Sequence, residues 1–486
     1  MIRTGRSILF LAALALPSCA ANPPREPVNI VLISIDSLRA DHVHSYGYPR
    51  ETTPTLDRLA REGTLFENVV AESSWTLPTH MTMLTGLPAQ THGVEYFSGS
   101  KLADTYKTLA EMLGEQGYRS FGIFSGPYLH PVFGFGRGFD RYESAMGKTV
   151  YDDESFDPDV PGSDASVKRT NFMSHRNVTS HLVTEKAIEL LGSGESGPFF
   201  LFLHYFDVHF DYIPPEELWR RFDPDYQGNM TGEAFQENNE INATMNPRDL
   251  EHLIALYDAE ILYTDQQIGY LIDALDRNGL SESTLVVVTA DHGVEFFEHG
   301  DKGHYRTLFD EVLKVPLIAR LPRGVRAGAR VREQVRHLDI LPTLLSFAGV
   351  PDSGNLLREV GGESLAAVLE GEEAPSSLPA ISSLRRDGYW ASLRTPSFKY
   401  LVNREGSPEI ELFYDLGKDP GEHRPVRWTE ADALDSGTRE DFEGLRRSLL
   451  RGEAAAFAAR AIPEGAEDVE LPARVREELR SLGYIE

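Results

Sequence analysis

The chain is poor in cysteine, in positive charge and in long apolar runs, and each shortage closes off a class of protein. One Cys in 486 residues leaves no pair to oxidise, so no intramolecular disulfide supports the fold. Acidic side chains dominate, with 75 Asp and Glu against 47 Lys and Arg and a formal net charge of −28. A surface so negative argues against nucleic acid or an anionic membrane as the main partner. It leaves room for an anionic substrate, because a bound cation inverts the field locally. The longest apolar run, Ile8 to Leu16, is too short to span a bilayer as a permanent helix. No internal repeat is visible. What is present, 41% hydrophobic and 25% charged residues, is ordinary for a globular protein able to bury one large core and a smaller subdomain.

The ends of that apolar run carry information. Arg3 and Arg6 precede it, and Leu16-Pro17-Ser18-Cys19 closes it with the chain's only cysteine. This pattern resembles a bacterial lipobox, which implies export and a lipid anchor at Cys19, in the periplasm or on the outer membrane. Pro17 is unusual there, so an ordinary signal peptide is the alternative. Residues 1–19 are thus read as a leader and 20–27 as a tether.

From Val28 the texture is that of an α/β protein. Val28 to Ile35, Phe199 to His204 and Leu285 to Ala290 are continuous apolar, β-branched runs, the pattern of strands buried on both faces of a parallel sheet. Thr64 to Val70, Arg119 to Phe124 and Val315 to Ala319 are further strands. Thr55 to Glu62, Thr105 to Gln116, Arg176 to Leu191 and Arg248 to Arg277 are expected helices. The expectation is a large, mostly parallel sheet sandwiched by helices over 28–374. A small antiparallel subdomain and an acidic, helical tail follow over 375–486, with strands at Tyr389 to Arg394, Phe398 to Val402 and Glu411 to Tyr414. The acidic stretch Tyr151 to Ser174 and the Asn-rich stretch 222–246 read as solvated insertions.

Ligands in open α/β sheets gather at the carboxyl ends of strands, so the residues that follow these runs are candidates. Asp36 follows the first and Asp291-His292-Gly293 the last. Thr76, two residues before Pro78, lies just ahead of an expected helix, where backbone N–H groups favour an anion and a hydroxyl is either a cap or a nucleophile. His204, Asp207 and His209 end the middle run. His337 opens a helix as a cap or as part of a second metal site.

Thr76-x-Pro78-Thr79-His80 with Leu84-Thr85-Gly86, together with Asp36 and Asp291-His292-Gly293, resembles the sulfatase family of the alkaline phosphatase superfamily, over nearly the whole chain beyond the leader. The resemblance implies a divalent metal held by Asp36, Asp291 and His292, with the Thr76 oxygen as a further ligand. It implies catalytic roles for Thr76, His209 and His304, and substrate contacts from His80, Lys302 and Asp207. Typical members carry Cys or Ser at Thr76, oxidised to formylglycine. Threonine cannot follow that chemistry, so no formylglycine is expected and the likeness points to a branch with an unmodified threonine nucleophile. Ser37 replaces a second metal-binding Asp, His80 replaces Arg, and Ser125-Gly-Pro-Tyr128 replaces a stretch with Lys and His. With His292 where Asn is commoner, manganese or zinc is expected ahead of calcium. The expected activity is hydrolysis of a phosphate mono- or diester in a small molecule, glycan or lipid. A sulfate ester, a phosphoglycerol or phosphoethanolamine transfer and a non-catalytic binding protein are the alternatives.

Overall fold

The computed structural model describes residues 28–95, 101–145, 178–192, 197–350, 361–372, 375–386, 388–404 and 410–459. The leader with Cys19, the tether, the acidic stretch 151–174 and the tail beyond 459 lie outside the described residues.

Eight strands form the main sheet: β1 Asn29–Ile35, β2 Thr64–Val70, β3 Arg119–Phe124, β4 Arg141–Ser144, β5 Phe199–Tyr205, β6 Thr284–Ala290, β9 Lys314–Arg320 and β10 Ala329–Arg336. A two-residue hairpin, β7 Glu295–Phe296 with β8 Lys302–Gly303, stands apart. The order across the main sheet is β10-β2-β9-β6-β1-β5-β3-β4. The apolar runs β1, β5 and β6 are central neighbours, as strands covered on both faces must be. The sheet is mixed in one respect, since β9 runs antiparallel to both β2 and β6. The remaining pairings are parallel.

Helices cover both faces. α1 Pro54–Glu62, α4 Ser180–Leu191 and the 31-residue α5 Pro247–Arg277 pack together, as do α2 Thr76–Thr85, α3 Leu109–Gly114 and α6 Ile340–Phe347. The expected helix over Thr105 to Gln116 is shorter than read. It starts where Thr108 and Glu111 form a reciprocal capping box, which fixes the helix start at that residue.

The second sheet is antiparallel, in the order β11 Ala380–Arg385, β12 Tyr389–Arg394, β13 Phe398–Arg404, β14 Ile410–Asp415, β15 Val426–Arg427, with α7 Ser436–Ala459 against it. It joins the main body through buried polar groups. The Ser382 hydroxyl donates to the Ala71 carbonyl at 2.6 Å. Arg394 donates to Asp310 from two nitrogens, with a shortest contact of 2.8 Å, and Lys399 lies 3.1 Å from the same carboxylate and 2.7 Å from Glu422. No helix of the described residues is long and apolar enough to cross a membrane.

Candidate active site

Strand register assembles the site. Ile35 pairs with Ala290 on β6 and with Tyr205 on β5, so the next residues on each strand, Asp36 and Asp291, emerge side by side at the carboxyl ends. Ser37 adopts a left-handed φ of 57°, a conformation a non-glycine residue holds only when its surroundings enforce it. The turn aims the Ser37 N–H at Asp291 Oδ1, 3.0 Å away, while its hydroxyl donates to Asp36 Oδ1 at 2.8 Å. Tyr257 of α5 fastens the turn from behind, donating to the Ser37 carbonyl at 2.8 Å and accepting from the Arg39 N–H at 3.0 Å. Asp41 pairs with Arg39, and His42 with Asp258 of α5, so both position the loop.

Thr76 is the first residue of α2, with Trp75 as its N-cap. The helix therefore begins two residues earlier than the Pro78 rule places it. Every α2 residue is buried, and its polar side chains are satisfied in place. Thr79 donates to the Trp75 carbonyl at 2.9 Å, Thr85 to the Met81 carbonyl at 2.7 Å, and His80 Nδ1 to the Thr76 carbonyl at 2.8 Å. The Thr76 hydroxyl lies 3.3 Å from Asp36 Oδ2 and 3.4 Å from His292 Nε2. His292 Nδ1 is 2.9 Å from the Gly293 carbonyl. A carbonyl only accepts, so Nδ1 carries the proton and Nε2 faces Thr76 with a bare lone pair, the tautomer a metal ligand needs.

The donor set fits a divalent cation. Asp36, Asp291 and His292 are buried and their ligating atoms lie within 4.8 Å of one another. Asp291 Oδ2 accepts no hydrogen bond, and burial pushes Asp36 up to about 6, against the opposing influence of His292 and the Ser37 and Thr76 bonds. Among the described residues neither carboxylate pairs with a Lys or Arg, and two carboxylates side by side in that state call for a cation.

A second pair of imidazoles faces the same space. His209 Nε2 and His304 Nε2 are 2.9 Å apart. His209 Nδ1 lies 2.5 Å from the Phe210 carbonyl, so it bears that ring's proton and His304 donates through Nε2. Burial, helped by His292, His209 and Arg386, holds His304 well below the ordinary imidazole range. The His304 ring packs 4.3 Å from that of His292. Trp75, Tyr128 and Tyr305 form an aromatic wall, with Trp75 ring centroids 5.1 Å from Tyr128 and 4.8 Å from Tyr305. Arg386, from the β11–β12 hairpin, lies over Tyr305 at 4.8 Å.

Three other expected contacts sit elsewhere. Asp207 accepts from the Thr179 N–H and hydroxyl and from the Ser180 N–H at 2.6 to 2.7 Å, so its carboxylate is committed to the start of α4. Lys302 donates to the Asn238 and Ile241 carbonyls at 3.0 and 2.8 Å, tying β8 to the Asn-rich segment. His80 is wholly buried beneath Thr76, and its Nε2 accepts from the Ser34 hydroxyl at 2.9 Å. His337 is buried near His292, and burial drives it down to about 3. Tyr257 and Arg386 were missed by the sequence reading, because no local pattern marks a residue whose partner lies far along the chain, 220 positions for Tyr257 and Ser37 and 81 for Arg386 and Tyr305.

Comparison with known proteins gives consistent matches for the sequence and for the fold. A family model described as Sulfatase covers residues 28–350, and one described as N-sulphoglucosamine sulphohydrolase, C-terminal, covers 298–435. The chain is 26% identical over 502 residues to an N-acetylglucosamine-6-O-sulfatase of Bacteroides thetaiotaomicron, with 85% of this chain and 86% of that one covered. It is 26% identical over 479 residues to iduronate 2-sulfatase of Homo sapiens, at 86% and 81%. Among solved structures, a phosphonate monoester hydrolase of Agrobacterium radiobacter has a TM-score of 0.68 at 21% identity, covering 88% of this chain and 96% of that one. A protein solved with its substrate D-glucosamine-2-N,6-O-disulfate has a TM-score of 0.71 at 19% identity, covering 91% and 100%. At such identities the structural likeness concerns the fold.

Proposed function

The chain belongs to the sulfatase family, and from that premise we propose that it is an exported, metal-dependent hydrolase acting on a phosphate mono- or diester through a covalent Thr76 intermediate. The observation that carries the proposal is the Thr76 hydroxyl, held at a helix start 3.3 Å from Asp36 Oδ2 and 3.4 Å from His292 Nε2. Asp36, Asp291, His292 and the Thr76 oxygen would hold the cation, manganese or zinc ahead of calcium because the set includes imidazole. When bound, that cation supplies positive charge that lowers the pKa of the Thr76 hydroxyl and offsets charge on the oxyanion.

The remaining work falls to the chain itself. α2 presents Thr76 Oγ1, with the positive end of the helix dipole behind the attacked group. Thr76 gives up its hydroxyl proton to solvent and attacks phosphorus, the bond to the alcohol oxygen breaks, and that oxygen takes the proton held at Nε2 by the His209–His304 pair, which the water of the second step restores. Water then attacks the Thr76 ester and releases the second product. The aromatic wall of Trp75, Tyr128 and Tyr305 limits water around the reacting groups.

Phosphate is preferred because threonine cannot yield the aldehyde that the sulfatase pattern employs. A sulfate ester of a glycan is the second reading, favoured by the names of the curated relatives. The test is a screen of purified protein on aryl phosphate, phosphodiester, phosphonate and sulfate esters, with manganese, zinc or calcium supplied, beside Thr76→Ala. We expect metal-dependent turnover of a phosphorus ester, reduced by at least about a hundredfold in the variant, the scale seen when an essential catalytic group is removed. Unchanged turnover by Thr76→Ala would end the proposal.

A further inference from the structure

We propose that His204, at the end of β5, is an additional ligand of the divalent cation, giving this centre a second imidazole beside His292. The proposal rests on reading Asp36, Asp291 and His292 as a metal centre.

His204 is fully buried, and neither of its ring nitrogens makes a hydrogen bond. A buried imidazole in that state is costly, and native proteins avoid it unless something absent from the polypeptide takes the lone pair. The ring points where such a group would be. Its Nε2 lies 3.4 Å from Asp36 Oδ2, and its donor atoms are within 4.8 Å of those of Asp291 and His80. Asp291 Oδ2, the other atom of the cluster without a hydrogen bond, lies 3.3 Å from His292 Nε2.

These spacings share one length. Donors bound to one ion at about 2.0 to 2.2 Å must stand roughly 3 to 3.5 Å from their neighbours around it. Thr76 to Asp36 at 3.3 Å, Thr76 to His292 at 3.4 Å, Asp291 to His292 at 3.3 Å and His204 to Asp36 at 3.4 Å all meet that condition. His80, although close, has both nitrogens engaged by the Ser34 hydroxyl and the Thr76 carbonyl. It supports the site from below.

Two neighbours show how the chain admits the ring. Strand register sets His204 beside Ser34, the second residue before Asp36. Gly126 lies against the ring, and a Cβ there would stand 2.8 Å from His204 Cε1. Only glycine leaves His204 its place. The resulting set of two imidazoles, two carboxylates and a hydroxyl discriminates against calcium, which takes all-oxygen shells.

The test counts imidazoles without using turnover. The full chain loaded with Mn(II) or Cu(II) alone is studied by pulsed EPR, which reads nitrogen couplings of directly bound imidazole, and zinc and calcium affinities are measured by titration calorimetry. The wild type is expected to show two coordinated imidazoles and one equivalent of metal. His204→Gln is expected to show one, with zinc affinity lowered by at least about a hundredfold and calcium affinity little changed. A single imidazole in the wild type overturns the assignment even if the variant fails to fold. So does an equal loss of zinc and calcium affinity in the variant with couplings unaltered, the result expected if His204 only orients Asp36. Two metal equivalents in the wild type would also overturn it. A wild type that retains no metal sinks the underlying metal centre as well, which separates the two failures.

Discussion

Single atoms decide whether the corner after β6 can exist. Gly293 donates its N–H to the Val312 carbonyl at 3.0 Å, and a Cβ at that position would meet the Glu311 carbonyl oxygen at 2.1 Å. The glycine of the Asp-His-Gly step is there because backbone passes over it, and the proposed metal ligation falls to its two predecessors. Gly293→Ala is therefore expected to displace Asp291 and His292, lowering zinc affinity at least about tenfold while the far-UV circular dichroism stays native. A variant that keeps wild-type affinity in calorimetry would show that the corner tolerates the shift. The placement of Asp36, Thr76, Asp291 and His292 at element ends was legible in the sequence because each follows a recognisable strand or lies at a helix start. Asp207 was misplaced for the opposite reason: a carboxylate beside a strand end looks the same whether it faces a ligand or caps a distant helix. His80 differs again, since its neighbours Ser34 and Thr76 come together only through the fold.

At the scale of elements, the long helix α5 serves as a brace. Besides Tyr257 at the Asp36 loop, it supplies Asp265, whose carboxylate accepts the Thr55 and Leu56 N–H groups at 2.8 and 2.9 Å and so caps α1, whose own N-cap Thr53 makes no side-chain capping bond because its hydroxyl accepts from the His44 N–H. Burial outweighs those bonds and pushes Asp265 up to about 7. The sign follows from linkage. A carboxyl with its folded pKa above its unfolded value binds a proton more tightly when folded, so its contribution to stability falls as pH rises from about 4 to about 7 and is level above that. Asp265→Asn is expected to melt with a flatter pH profile than the wild type between pH 5 and 7, measured by differential scanning calorimetry. Parallel profiles would contradict the assignment. Elements buried on both faces, β1, β5 and β6, were readable as apolar runs. The sequence carried no sign of the reversed direction of β9, because alternation along a strand does not encode polarity. β10 escaped notice because Ala329–Arg336 lies at the sheet edge and is rich in arginine, as edge strands often are.

For the whole molecule, the seam between the two sheets depends on charge buried in register. Lys399 has no exposed surface and lies between Asp310 and Glu422, while Arg394 shares Asp310. Removing one member of such a set leaves an uncompensated charge, a loss of about 3 to 5 kcal/mol. Lys399→Met is thus expected to lower the unfolding free energy in urea by that amount, and Lys399→Met combined with Glu422→Gln to restore a substantial part of it. A single variant as stable as the wild type would mean that water reaches the seam. The presence of a small antiparallel unit was legible from its alternating strands. Its attachment was not, because Asp310 belongs to the main body and Lys399 to the appended one.

Placing β1 between β5 and β6 also has a consequence for synthesis. The ribosome delivers Ile30 and its neighbours early, yet their partners Phe200 and Leu285 arrive 170 and 255 residues later. Until then a greasy ribbon has both edges open and invites pairing with other nascent chains. A holdase that shields this ribbon, or slow release of the unfinished polypeptide, would raise the yield of native protein without altering its final stability.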